Sequence, residues 1–164
     1  MYEIGDQEVQ AIKKIISKGK LFRYLENSEC SIFEKNYAKF LSIKHTALAS
    51  SGTAALTAAL VGLKIGPGDE VLIPAHTYMA TAMSVLSVGA IPVIIDIDES
   101  LTIDPKALED ACGPLTRAVI VVHMWGTTCN MNAIMKIAKK KNIFVIEDAC
   151  QSVGGGYEKK MLGT

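Results

Sequence analysis

Residues 70–97 read EVLIPAHTYMATAMSVLSVGAIPVIIDI, and this stretch decides the fold. Its opening, Glu70-Val71-Leu72-Ile73, is an apolar run of strand length that closes on Pro74, so it reads as a buried strand. From 77 to 88 the apolar residues follow a helical spacing, Gly89 breaks the pattern, and 92–97 is a second apolar run. No charge falls between Tyr78 and Ile95. A membrane span is nonetheless the wrong reading, because Gly89 and Pro92 interrupt the stretch and charged loops flank it closely. The stretch is therefore a strand, a helix, a turn and a second buried strand.

The same alternation continues on both sides. A short run at 46–49 precedes a helical stretch at 52–63, and a helix at 105–112 precedes a run at 118–122. A helix at 131–141 then leads to a run at 143–146. Five strands alternating with helices predict an α/β fold with three layers, α/β/α, and a mainly parallel sheet covered on both faces. Gly66-Pro67-Gly68-Asp69 and Ser87-Val88-Gly89-Ala90 mark tight connections. Ahead of this lie two helices. One, at 6–18, carries Val9, Ile12, Ile15 and Ile16 and stops at Gly19; the other, at 31–41, carries Ile32, Phe33, Tyr37, Phe40 and Leu41. The division is a helical segment of about 1–44 followed by an α/β portion of about 45–164.

Composition narrows the function. The 164 residues are 49% hydrophobic, and 17 basic residues balance 17 acidic ones. No net field draws the chain to nucleic acid or to an anionic membrane, so the expected partner is a small molecule. Met1-Tyr2-Glu3-Ile4-Gly5-Asp6 lacks the basic and apolar regions of a secretory leader, which points to the cytoplasm. Cys30, Cys112, Cys129 and Cys150 form no C-x-x-C pair; scattered reduced thiols, packed as small apolar residues, are the expectation.

Ligands of parallel α/β sheets lie beyond the carboxyl ends of the strands, which selects four places. Ser50-Ser51-Gly52-Thr53 leads into a helix whose first amides are free, either as a phosphate cradle or simply with Ser51 as a helix cap. It matches neither the Walker loop nor the dinucleotide fingerprint. Tyr78 either covers one face of a planar ligand or packs in the core. His123 and Trp125 follow a third run and can equally pack beneath the sheet. Asp148 ends the last run, where a half-buried carboxylate calls for a cation unless it merely caps a helix. Glu147 and Asp148 point to opposite faces of a strand and have no histidine at ligand spacing, so no metal site is expected.

Together these segments resemble the DegT/DnrJ/EryC1/StrS sugar aminotransferases, within the aspartate aminotransferase fold of pyridoxal-phosphate enzymes. The resemblance rests on Ser50-Ser51-Gly52-Thr53-Ala54-Ala55-Leu56, Gly66-Pro67-Gly68-Asp69-Glu70-Val71, the segment 74–78, Gly89-Ala90 with Pro92-Val93, and Glu147-Asp148-Ala149 with Gln151. It implies pyridoxal 5'-phosphate as cofactor, with Gly52 and Thr53 on the phosphate, Tyr78 stacked on the ring, Asp148 on the ring nitrogen and Gln151 near the ring hydroxyl. Leu21-Phe22-Arg23-Tyr24 and Val122-His123-Met124-Trp125-Gly126 are similar to members that transfer an amino group from glutamate or glutamine to a keto-sugar or keto-cyclitol.

The family's Schiff-base lysine is expected beyond Thr164, and Lys159 and Lys160 sit in what resembles an exposed turn. No catalytic residue is therefore expected among the 164, and the chain reads as the N-terminal part of an incomplete large cofactor-binding domain. In the family the next two strands insert between the first strand and the rest of the sheet, so the 46–49 strand is expected to lose its neighbours. Stability is then expected to need a complementing C-terminal chain or an oligomer such as a homodimer. Two other functions stand beside this one: a non-catalytic cofactor-binding or scaffold domain paired with a second chain, and a lysine-free dehydratase relative, whose histidine would replace the lysine at a position beyond Thr164.

Overall fold

The structure, a computed structural model, describes residues 4–164. Residues 1–3, where the helical segment and the leader reading begin, lie outside the described residues. The chain divides into two compact units, Met1–Leu48 and Ala49–Thr164.

In the first unit, α1 spans Asp6–Lys18 and α2 spans Glu29–Leu41. The Glu8 carboxylate accepts the Gly5 N–H at 2.7 Å, which satisfies a free donor at the start of α1, and Gly19 closes the helix at φ 63°. α2 begins two residues before the expected position because Ser28 caps it, its hydroxyl accepting the Ser31 N–H at 3.2 Å. The expected strand at 46–49 does not form. The Thr46 hydroxyl donates to the Glu34 carbonyl at 2.6 Å, and the Leu48 N–H donates to the Glu34 carboxylate at 2.7 Å. This stretch is bound to α2 rather than to a neighbouring strand, and with no ladder partner an extended segment has nothing to make it a strand. The Leu48 amide, together with Arg23, whose guanidinium lies 2.5 Å from the Glu34 carboxylate, holds the Glu34 carboxyl below its ordinary value.

The second unit is the α/β portion. In order it contains α3 (Gly52–Gly62), β1 (Glu70–Pro74), α4 (Ala80–Ser87), β2 (Ile91–Ile95), α5 (Pro105–Ala111), β3 (Thr116–Val122), α6 (Met131–Lys141) and β4 (Phe144–Asp148). A two-residue hairpin follows, β5 (Gly156–Tyr157) with β6 (Lys160–Met161), and Glu158 and Lys159 form its turn at φ 45° and 70°. The four longer strands form one parallel sheet in the order β2-β1-β3-β4. The uncharged stretch is α4, a turn at Gly89 (φ 78°) and β2; no helix among the described residues is long and apolar enough to cross a membrane. The helix expected from 77 starts at Ala80, because the chain leaving β1 makes one more bond to β2, Ala75 N–H to the Ile95 carbonyl at 2.8 Å, and then bends at 75–77. β2 stops short of Ile97, which bridges to Ile103 instead.

Alternation along the strands sorts the core into two layers. Val71, Ile73, Ala118, Ile120, Val122 and Ile146 face Leu56 and Leu60 of α3 and Val85 of α4. Leu72, Val119 and Val121, with Val145, face Leu108 of α5 and Ile134 and Ile137 of α6. Both faces of the sheet are covered, which makes the three-layer α/β/α sandwich and explains why β1 and β3 read as unbroken apolar runs. Ile120 is fully buried in the first layer. Ile120→Ala should lower unfolding stability by about 2–5 kcal/mol, read as a shifted urea midpoint; a loss below about 1 kcal/mol would contradict this packing.

Candidate functional site

The carboxyl ends of β1, β3 and β4 and the N-terminus of α3 surround one cavity of about 260 Å³, walled by Gly52, Thr53, Tyr78, Asp148, Cys150 and Gln151 and floored by Leu56 and Val122. The five residues that the resemblance assigns to the cofactor line this one cavity, whereas His123 and Trp125 do not. Alternation is the cause: Ile146 of β4 lies in the α3 layer, so Asp148, two residues on, faces α3 as well.

At the start of α3 the Ser51 hydroxyl accepts the Ala54 N–H at 3.1 Å. The cap reading of this segment is what the structure shows, and it leaves the cradle reading open. Ser51 caps the helix, and the amides of Gly52 and Thr53 stay free at the positive end of its dipole. Gly52 has no room for a side chain without crowding Cys150, since a Cβ there would lie 3.3 Å from the Cys150 Sγ. The Cys150 side chain packs close against the start of α3 because position 52 is glycine.

Asp148 is half-buried. Its Oδ1 accepts the Cys150 N–H at 3.1 Å, and its carbonyl accepts the His123 N–H at 3.1 Å. Asp148 and burial together push the Cys150 thiol up to about 11. Tyr78 is 73% exposed, a ring standing free over the cavity rather than a core residue. Gln151 is oriented by the main chain: its Oε1 accepts the Trp125 N–H at 2.9 Å, which leaves the amide N–H groups as its free end. Trp125 holds φ 50°, the left-handed region that a bulky residue occupies at a cost of roughly 1–3 kcal/mol. Trp125 is 70% exposed and meets His76 edge-on at 5.0 Å between ring centroids. Lys159 and Lys160 are in the hairpin and are not among the residues walling the cavity.

Free amide donors, a carboxylate and an aromatic ring around one cavity suit a flat ligand with a phosphate and a basic ring nitrogen. The DegT/DnrJ/EryC1/StrS aminotransferase family pattern matches residues 2–164. The chain belongs to this family. The spore coat polysaccharide biosynthesis protein SpsC of Bacillus subtilis (strain 168) is 41% identical over 162 residues, covering 98% of this chain and 41% of that protein. The dTDP-3-amino-3,4,6-trideoxy-alpha-D-glucose transaminase of Streptomyces venezuelae is 38% identical, covering 98% and 42%. An aminotransferase from Psychrobacter cryohalolentis superposes with a TM-score of 0.94 at 33% identity, over 98% of this chain and 41% of that one. The chain therefore spans about two-fifths of the length of these relatives. Pyridoxal phosphate is the cofactor of the family, and NtdA of Bacillus subtilis, 33% identical with a TM-score of 0.85 over 93% of this chain and 36% of that one, is a solved relative with bound PMP. The cavity fits that group: the free amides of α3 suit its phosphate, and Asp148 suits a protonated ring nitrogen.

One pairing was not legible in the sequence. Glu147, beside Asp148 but on the other face, meets His123, whose Nε2 lies 3.0 Å from Glu147 Oε2. The Gly163 N–H donates to the same oxygen at 2.9 Å. Burial alone would raise the Glu147 carboxyl, but these hydrogen bonds outweigh it and hold the group below its ordinary value. Among the described residues no cluster of three or more acidic, cysteine or histidine side chains could hold a metal ion, and all four cysteines are free.

The charge beside Cys150 has a measurable consequence. With its thiol near 11, about one molecule in a thousand carries a thiolate at pH 8, so iodoacetamide should modify Cys150 slowly in the cofactor-free protein although the residue is exposed. Asp148→Asn should speed the modification severalfold, read by mass spectrometry of the Cys150 peptide; equal rates in the two proteins would contradict the assignment.

Proposed function

We propose that this chain forms the phosphate-binding and ring-binding side of the active site of a pyridoxal-phosphate aminotransferase, acting on a keto-sugar or keto-cyclitol with glutamate or glutamine as amino donor. The observation that carries the reading is the convergence of Gly52, Thr53, Tyr78, Asp148 and Gln151 on one cavity at the carboxyl end of the sheet. When bound, pyridoxal phosphate supplies an electron sink, and the sink is strongest with its ring nitrogen protonated.

Each residue then has a distinct task. The amides of Gly52 and Thr53 hold the phosphate at the N-terminus of α3, where free donors and the helix dipole both favour an anion. Tyr78 covers one face of the ring, adding roughly 0.5–1.5 kcal/mol beyond area burial. Asp148 keeps the proton on the ring nitrogen, because a half-buried carboxylate favours a paired cation. Gln151, its oxygen engaged by Trp125, offers an N–H to the ring hydroxyl. No lysine walls this cavity; in this reading the Schiff-base lysine lies beyond Thr164, in the same polypeptide or a complementing chain, and the assembled enzyme is a homodimer. The sugar-nucleotide transaminase among the relatives supports a keto-sugar acceptor.

Equilibrium dialysis with pyridoxal phosphate tests the reading on the protein as its own cells make it. Asp148→Asn should weaken binding tenfold or more, since it removes a charge-assisted contact worth about 1.5–3 kcal/mol. Equal affinity in the two proteins would overturn the role given to Asp148.

A further inference from the structure

His123 is fully buried, with 0% of its surface exposed, yet all its polar groups are bonded. Its main-chain N–H donates to the Asp148 carbonyl at 3.1 Å, and its carbonyl accepts the Ser152 hydroxyl at 2.7 Å. Any residue could make those two bonds. The imidazole makes two that depend on its ring: Nδ1 accepts the Cys129 N–H at 3.2 Å, and Nε2 lies 3.0 Å from Glu147 Oε2. A backbone amide can only donate, so Nδ1 carries no proton and the proton sits on Nε2, donated to Glu147. Burial disfavours a charge on the ring and the Cys129 and Glu147 contacts outweigh it, raising the imidazole to about 9. The Cys129 N–H aimed at Nδ1 nonetheless leaves that nitrogen no proton, so the geometry makes the ring a bridge of fixed tautomer.

Both ends of the bridge reach the cavity indirectly. Glu147 and Asp148 are consecutive on β4 and point to opposite faces. Fixing Glu147 from behind, by His123 and the Gly163 amide, fixes the direction in which Asp148 leaves the strand. At the other end, the Cys129 bond closes the loop 123–129 onto its own first residue. That loop holds Trp125 in its left-handed conformation, and the Trp125 N–H orients Gln151. We propose that His123 is a positioning residue that sets two walls of the cavity at once, the Asp148 carboxylate through Glu147 and the Gln151 amide through the loop 123–129. Its importance for catalysis rests on the cofactor reading above; the geometry it enforces does not.

Two substitutions separate the two ends. In His123→Asn the side-chain oxygen takes the place of Nδ1 and keeps the Cys129 bond, but nothing reaches Glu147. In His123→Gln the amide nitrogen takes the place of Nε2 and keeps the Glu147 bond, but the Cys129 amide loses its acceptor. Amide hydrogen exchange in the complete protein reads both ends, because the Cys150 N–H is held by Asp148 and the Trp125 N–H by Gln151. The Asn variant should speed exchange at Cys150 about tenfold and leave Trp125 unchanged, and the Gln variant should do the reverse. Equal effects at both amides, or none at either, would overturn the proposal. Should a His123 variant fail to fold, Glu147→Ala read at the same two amides decides: faster exchange at Cys150 alone supports the bridge, and any other pattern overturns it. Pyridoxal phosphate affinity measured alongside keeps the two claims apart. Wild-type protein that binds no cofactor would sink the proposed function while the exchange pattern still decides the role of His123.

Discussion

The period-two alternation of β4, locked against β3 by parallel pairing from Ala118↔Phe144 to Val122↔Asp148, governs the placement of everything that follows. Because successive side chains leave a strand on opposite faces, Ile146 and Asp148 face α3 while Val145 and Glu147 face α6. A slip of one residue in this register would put Glu147 over the cavity and bury Asp148 behind the sheet. The register is held by the hydrophobic pattern itself, since residues 118–122 of β3 are apolar and buried on both faces.

With the register fixed, the site follows from short connections. The turn after β4 brings Cys150 against Gly52, where a Cβ would crowd the Cys150 sulfur at 3.3 Å. The cap at Ser51 satisfies the Ala54 amide of α3 and leaves the two before it, Gly52 and Thr53, free at the cavity. Local and long-range order thus agree at the place where an anion would bind, and the two carboxylates at the end of β4 take different work from one strand: Glu147 ties the loops behind the sheet together, and Asp148 faces the cavity.

Much of this was legible in the sequence because it depends on local pattern. The helical spacing of 6–18 and 131–141 and the apolar runs of β1 and β3 each signal their element without reference to anything distant. Residues 46–49 were not legible in this way: an apolar run becomes a strand only beside a partner, and here its amide and hydroxyl are taken by Glu34. The His123–Glu147 pair was hidden for a similar reason. The two residues are 24 apart in the chain and meet only through the β3–β4 register, which a single sequence does not state. The signal that could have found it is His123 itself, a polar residue placed directly after a run buried on both faces, where it needs a buried partner. The orientation of Gln151 was likewise beyond sequence, because it depends on the left-handed turn at Trp125.

The account's central claim is that the cavity beyond β1, β3 and β4 receives pyridoxal phosphate with its phosphate at α3. A crystal structure of the protein grown with the cofactor tests this most directly. The account predicts phosphate density against the Gly52 and Thr53 amides, Tyr78 over the ring and a ring nitrogen within hydrogen-bond distance of Asp148. A cofactor bound with its phosphate elsewhere, or with Asp148 unpaired beside it, would contradict it.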